Sequence, residues 1–388
     1  MKIAILTQPL HINYGGLLQN YALQQTLKGM GHEVETLTLK QTYKPLTLFQ
    51  QMKSFAASCI YFCLGKTPWK AIHWPYNTRA RNRKVIIDEF SKGFTCRYIQ
   101  RSPSLDTLEQ LQAYCNSQRF DAYVVGSDQV WRPMYNSDID WMFLSFLPKE
   151  CKAKRIAYAA SFGTDQWEFK PALTAKVAPL AQRFDVVTVR EDAGVDLCKT
   201  HLGVEAHHVL DPTMLLSADH YLRIAEERLG PCVPQHKLFA YILDKSPVKA
   251  DIVNAVATGM RLEVETMSCE FKLSPYMAEE EAVRQMPAGV DQWLRHIAES
   301  QFVVTDSFHG VAFSIILNRP FVVYGNKKRG VSRVSSLLKI YGLEDRLVQS
   351  PSEAADIMSR TIPWPQINAT RSRWAERSQG WLKEVCSQ

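Results

Sequence analysis

The stretch VVTDSFHGVAFSIILNRPFVVYG, residues 303–325, reads as an apolar strand, a polar break, an apolar helix, a turn and a second apolar strand. Its break carries Asp306, Ser307 and His309 between two elements built for burial. In α/β proteins, ligands bind where a strand ends and a helix begins. Polar residues at such a point also serve as caps, and Asp306 is read here as the cap of the helix that starts near His309. A helix N-terminus disfavours a cation, so His309 is read as a neutral imidazole, a base or a neutral donor. Gly310 beside it allows close backbone approach.

The same alternation extends in both directions. Upstream, KIAILTQ (2–8), VETLTL (34–39), DAYVVGSD (121–128), RIAYAASFG (155–163), DVVTVRE (185–191) and HHVLDPT (207–213) read as strands separated by helical patterns. KLFAYIL (237–243) and LEVETM (262–267) open a second series that leads into the 303–325 stretch. This is parallel α/β architecture. With domains of about 100–200 residues each, 388 residues make two. Residues 1–214 form the first Rossmann-like domain and 215–365 the second, with the break in 214–236. A final helix, 366–388, is expected to pack back on the first. Residues 44–84 interrupt the rhythm by interleaving aromatic and aliphatic residues with Lys and Arg. The segment reads either as an amphipathic helical insertion or as a surface that touches lipid.

Lys and Arg number 46 against 39 Asp and Glu, a net +7. That excess falls short of a nucleic-acid footprint and suits anionic substrates or an anionic membrane surface. No run approaches about 18 apolar residues, so nothing is expected to span a bilayer. The nine cysteines are scattered without zinc-site spacing, as reduced thiols of a cytoplasmic protein would be.

Four further motifs lie at strand ends. NYGGLLQNYALQ (13–24) places Asn13, Tyr14, Gly15 and Gly16 in a loop before a helix. It marks either a cleft face or a simple tight turn, and it is not a dinucleotide fingerprint. VVGSDQVWRPMYN (124–136) offers Asp128 and Gln129 to sugar hydroxyls and Trp131 or Tyr135 as an aromatic face. The competing reading is an Asp cap with a buried Trp. VTVREDAG (187–194) sets Arg190 beside a helix N-terminus, where a cation is misplaced, so a grip on carboxylate or phosphate is preferred to a salt bridge with its neighbours. GNKKRGVSRVSSLL (325–338) gathers Arg329 and Arg333 around Gly330 and Ser332 before a helix, a suitable anion site. Its Lys327 and Lys328 read as solvated.

Taken in order, NYGGLLQNYAL, VVGSDQVW, YAASFG, VTVRED, VLDPT, TDSFHGVAFSIILNRPFV and SRVSSLL resemble the polysaccharide pyruvyl transferase family over residues 13–337. The resemblance implies a GT-B-type fold with two Rossmann-like domains facing a cleft. It implies transfer of the enolpyruvyl group of phosphoenolpyruvate to a hexose as a cyclic ketal, with release of phosphate. Phosphoenolpyruvate is then a co-substrate, and no cofactor or metal is required. His309 maps to the family histidine, as general acid/base. Arg190, Ser307, Phe308, Arg329, Ser332 and Arg333 fall to phosphoenolpyruvate, and Asn13, Tyr14, Gly15, Gly16, Asp128, Gln129 and Trp131 to the acceptor. Several members carry Arg where this chain has Ser307, so the cationic grip is expected from Arg329 or Arg333. A polyprenyl-diphosphate-linked acceptor would give 44–84 a use at the inner face of the cytoplasmic membrane. The alternatives are a nucleotide-sugar-dependent glycosyltransferase of the same architecture and a non-catalytic glycan-binding protein.

Overall fold

The computed structural model describes residues 1–39, 47–65, 78–136, 138–267, 279–284, 286–326 and 330–387. Runs such as Ile3–Leu6 and Phe302–Val304 are apolar at every position, which suits parallel strands covered on both faces. The first series holds β1 (Lys2–Leu6), α1 (Tyr14–Gly29), β2 (Glu33–Leu39), α2 (Leu48–Cys63), α3 (Thr78–Tyr98) and β3 (Arg101–Leu105). It continues with α4 (Leu108–Gln118), β4 (Ala122–Val125), β5 (Lys154–Ala160), α5 (Pro171–Ala181), β6 (Val186–Val189), α6 (Asp192–Leu197) and β7 (His207–His208). The seven strands pair parallel in the order β3-β2-β1-β4-β5-β6-β7.

After α7 (Ala218–Glu226) come β8 (Lys237–Tyr241), α8 (Pro247–Met260), β9 (Glu263–Thr266), α9 (Glu279–Arg284), α10 (Val290–Glu299) and β10 (Phe302–Thr305). Then follow α11 (Phe308–Ile316), β11 (Phe321–Tyr324), α12 (Val331–Tyr341), β12 (Leu347–Val348), α13 (Pro351–Met358) and α14 (Trp364–Ser387). This sheet, also parallel, runs β12-β11-β10-β8-β9. The strand order reverses between β1 and β4 in the first sheet and between β8 and β10 in the second, and such reversals open crevices at the carboxyl ends of strands.

The two halves share a core. Tyr14 of α1 stacks on Trp293 of α10 at 5.5 Å, and Tyr221 of α7 meets Phe313 of α11 edge-on at 4.8 Å. Helix α14 returns to the first sheet's side, where Ser378 accepts the Leu210 N–H at 3.0 Å and Trp381 stacks on His207.

Three elements differ from the sequence reading. The strand expected over 207–213 is confined to His207–His208 with one further bond from Val209 N to Val189 O; Leu210 N then donates to Ser378 Oγ, and Pro212 has no N–H to continue a ladder. The Asp211 side chain instead accepts from Thr213 N and turns the chain into a 3₁₀ turn, Pro212–Leu215. RSPSL forms the edge strand β3, where Pro103 is tolerated. The 214–236 segment contains α7, whose Tyr221, Ile224 and Ala225 repeat at helical spacing and are buried.

Candidate functional site

Both strand-order reversals face one cavity of about 430 Å³ between the halves. Its first wall is Gln8, His11, Asn13, Gly15, Asp128, Gln129 and Tyr135; its second is Tyr241, Asp306–His309, Asn326, Gly330 and Arg333. The loops after β1, β4, β8, β10 and β11 therefore converge, and the TDSFHG break stands among them.

Inside this break the capping assignment moves by one residue. Ser307, not Asp306, is the N-cap of α11, its hydroxyl accepting from Gly310 N at 3.3 Å. Asp306 accepts from Leu243 N at 2.7 Å and from Lys249 Nζ at 2.6 Å, with Asn326 Nδ2 at 3.3 Å. It ties the β8, β10 and β11 ends together. His309 then lies in the first turn of α11 and is buried. Its ring packs against Gly15 so closely that a Cβ there would stand 1.9 Å from Nδ1. Its Nε2 stands 3.8 Å from Asp211 Oδ2, beyond hydrogen-bond reach but within ion-pair range.

Asp211 is the hub of a buried network. Its Oδ2 accepts from Arg190 Nη1 at 2.8 Å and from Ser127 Oγ at 3.1 Å, and its Oδ1 from Thr213 Oγ1 at 2.7 Å. Burial pushes this carboxyl up, but His309, Arg190 and Thr213 outweigh it and hold the group well below the usual carboxylate range. Arg190 Nη2 donates to Asp128 Oδ1 at 2.8 Å, and its guanidinium lies 4.7 Å over the Phe308 ring. Burial raises Asp128 too, and Arg190, His309 and Arg333 more than offset it, so its carboxyl also sits low.

The expectation that Arg190 grips the donor is thereby corrected. Its side chain is fully buried and both terminal nitrogens are engaged by Asp128 and Asp211, at 62 and 21 residues' separation. Asp128 is likewise held by Arg190 rather than free for sugar hydroxyls, although it lines the cavity. Trp131 is not an acceptor platform. It is fully buried, stacked on Phe143 at 4.9 Å, with its N–H donated to Met142 O. Tyr135 is the aromatic residue on that wall, 45% exposed. Tyr14 belongs to the core between the halves, its hydroxyl donating to Ala288 O. Asn13 caps α1 by accepting from Gly16 N. Gln129 lines the cavity and accepts from Arg132 through its amide oxygen.

On the opposite wall Arg333 of α12 is buried and lines the cavity. Burial, with Arg190 nearby, pushes its guanidinium down to about 10, which leaves it a cation at neutral pH. Ser332 precedes it, half-buried, at the start of α12. Lys327, Lys328 and Arg329 lie outside the described residues. Asp211 stands at a strand end in VLDPT, with no local sequence signal of a role in the site. Gln8, His11, Tyr241 and Asn326 carried no local signal. No group of three or more His, Cys, Asp or Glu among the described residues is placed to hold a metal ion.

The family model for polysaccharide pyruvyl transferase matches residues 13–328, a span that holds His309, Asp211 and residues of both walls of the cavity. The chain belongs to the polysaccharide pyruvyl transferase family. It is accordingly a transferase of polysaccharide biosynthesis, and the family implies a sugar acceptor. No curated protein matches it in sequence. Among solved structures, it is similar to the UDP-GlcNAc 2-epimerase of Neisseria meningitidis bound to UDP-GlcNAc. That likeness has a TM-score of 0.52 at 9% identity and covers 100% of this chain and 99% of the other. The UDP-GlcNAc 2-epimerase of Methanocaldococcus jannaschii gives 0.49 at 11%, covering 99% and 100%. AviGT4, a glycosyltransferase involved in avilamycin A biosynthesis, gives 0.48 at 11%, covering 99% and 97%. The fold of this pyruvyl transferase family member is thus GT-B-like, with two Rossmann-like units around a cleft.

Proposed function

We propose that the chain transfers the enolpyruvyl group of phosphoenolpyruvate to a hexose as a cyclic ketal, releasing phosphate, and that His309 is its acid/base. The observation that carries this is His309 itself, brought by the second half to the cavity, where it meets Gly15 and the Asp211 carboxylate of the first half. A base beside a buried carboxylate is an arrangement general acid/base chemistry uses. Asp211 steadies positive charge on the ring when it takes a proton, and Arg190 with Asp128 fixes Asp211 in place.

Protonation of C3 of the donor makes its methyl group and an oxocarbenium-like centre at C2. The first sugar hydroxyl adds there, phosphate leaves, and the second hydroxyl closes the ring. Of the two hydroxyl protons, one in net ends on C3 and the other leaves with phosphate. His309 carries the proton between them. Arg333 and the first turns of α11 and α12 supply the positive potential that a carboxylate and a phosphate require. Tyr135 and Gln129 of the first wall support an acceptor opposite. We infer a hexose with two hydroxyls placed to close the ketal, free or carried on a polyprenyl diphosphate.

The test is phosphate release that needs both phosphoenolpyruvate and a glycan, with a gain of about 70 Da on the glycan by mass spectrometry, the mass of pyruvate less water in a reaction read at the proposed cavity. His309→Ala in a folded protein is expected to abolish both. Turnover of a nucleotide sugar in place of phosphoenolpyruvate would refute the donor, and unaltered turnover by His309→Ala would refute the assignment of the base.

A further inference from the structure

Helix α2 presents the wrong face to solvent for a helix packed on a soluble domain. Leu48, Met52, Ala56, Ile60 and Leu64 recur every four residues along it and just past its end, with Phe49 beside them, and all six are exposed. The five large ones are between 57% and 75% exposed. Gln51, Phe55 and Cys59, on the flank, are half-buried instead. Scattered exposed leucines are ordinary, but a contiguous apolar ladder marks an interaction surface.

Charge identifies the partner. Between Glu35 and Asp88 the chain has nine Lys and Arg and no Asp or Glu, a local excess larger than the net +7 of the whole chain. Lys53 stands exposed on the apolar face itself. A second copy of this chain would bring like charges together, whereas an anionic lipid surface attracts them. At 16 residues α2 suits lying in an interface, and among the described residues no helix is long and apolar enough to cross a membrane.

We propose that this face of α2 docks the protein on an anionic membrane, with Phe49, Met52 and Ile60 inserted among the lipids and Lys53 at the headgroups. The inference goes beyond the proposed function and depends on no step of its chemistry. An enzyme held there meets lipid-carried sugars in two dimensions.

The experiment is co-sedimentation of the full chain with vesicles of phosphatidylcholine alone or with about 30% phosphatidylglycerol. The wild type is expected to bind the anionic vesicles at least about tenfold better and to lose that preference in about 0.5 M salt. The triple variant Phe49→Ser, Met52→Ser, Ile60→Ser is expected to keep the wild-type melting temperature and to lose about tenfold or more of the binding. Lys53→Glu should weaken binding to anionic vesicles only. Absence of wild-type binding, or equal binding by a folded triple variant, overturns the proposal. So does a concentration-dependent dimer in sedimentation velocity that the triple variant abolishes while vesicles are ignored, since a second copy then covers the face.

Discussion

Replacing Gly15 by alanine probes how the two halves meet at His309. A Cβ at Gly15 would lie 1.9 Å from His309 Nδ1 and 2.2 Å from its Cγ. Carbon and nitrogen atoms in ordinary contact stand about 3.5 Å apart, so the ring must retreat by about 1.6 Å or the cleft must open by a similar amount. Neither is free. His309 is buried, its helix is capped by Ser307, and the preceding Phe308 is fixed under Arg190. Overpacking of this kind costs about 1–3 kcal/mol. Alanine is the better helix former by up to about 1 kcal/mol, so the net loss of stability should be small, about 0–2 kcal/mol. The rate should suffer more. A displacement of about 1 Å at a reacting group costs about 10²-fold, equivalent to about 2.7 kcal/mol in the barrier. Gly16→Ala is the control, since the atoms nearest its Cβ are those of the Asn13 side chain, at 2.8 Å to Nδ2. It disturbs the α1 cap and leaves His309 alone. The assay is phosphoenolpyruvate-dependent phosphate release with a glycan acceptor, run beside thermal unfolding of each variant. A folded Gly15→Ala protein with the wild-type rate would refute the reasoning, as would equal rate losses for both alanines.

Other perturbations separate structure from chemistry. Asp211→Asn keeps the shape but removes the charge facing Arg190 Nη1 and His309 Nε2, so stability should fall by about 3–5 kcal/mol in urea unfolding and the rate by a further margin in the folded fraction. Asp128 and Asp211 have folded pKa values below their unfolded value of about 3.9, so the stability they contribute is complete above it and drains away as pH falls through and below it. Glu191, raised mainly by burial, runs the other way: its contribution is complete below its unfolded value and is lost as pH rises through the folded one. With two carboxyls against one, melting temperatures between about pH 5 and pH 3 should fall, and fall less in Asp211→Asn. Trp131→Ala should cost about 3–5 kcal/mol as a core cavity without changing the acceptor KM, whereas the exposed Tyr135→Ala should change stability by less than about 0.5 kcal/mol and raise that KM.

The strands were legible where burial on both faces leaves an uninterrupted apolar run, as in Ile3–Leu6 and Phe302–Val304. RSPSL was not, because an edge strand with Pro103 is defined by its partner: Thr38 N donates to Ser102 Oγ, a pairing 64 residues apart. The site divides in the same way. Its location was readable, since a strand-to-helix break announces itself locally, and His309 lies at one. Its bonds were not readable. Asp306 and Ser307 are both good caps by type, and only the β8 loop amides and Lys249, 57 residues distant, claim Asp306 for themselves. Arg190 was weighed against its sequence neighbours, while its partners came from two other strand ends.

That division bears on Ser307, where the family resemblance implies an arginine in several members. An arginine cannot accept the Gly310 N–H, so the α11 cap made here by the serine hydroxyl depends on serine at 307. The cationic role then needs another source. Arg190 does not supply it, because two carboxylates already hold its guanidinium, and Arg333 on the same cavity wall remains a cation at neutral pH. Serine at 307 and arginine at 333 thus read as one arrangement: the helix that carries His309 is fixed by the first, and the potential over the cavity comes from the second. Arg333→Lys should then keep part of the affinity for phosphoenolpyruvate and Arg333→Met very little, while Ser307→Ala should lower stability by about 1 kcal/mol with a smaller effect on that affinity. Isothermal titration with phosphoenolpyruvate decides it, and undiminished binding by Arg333→Met would separate the two residues again.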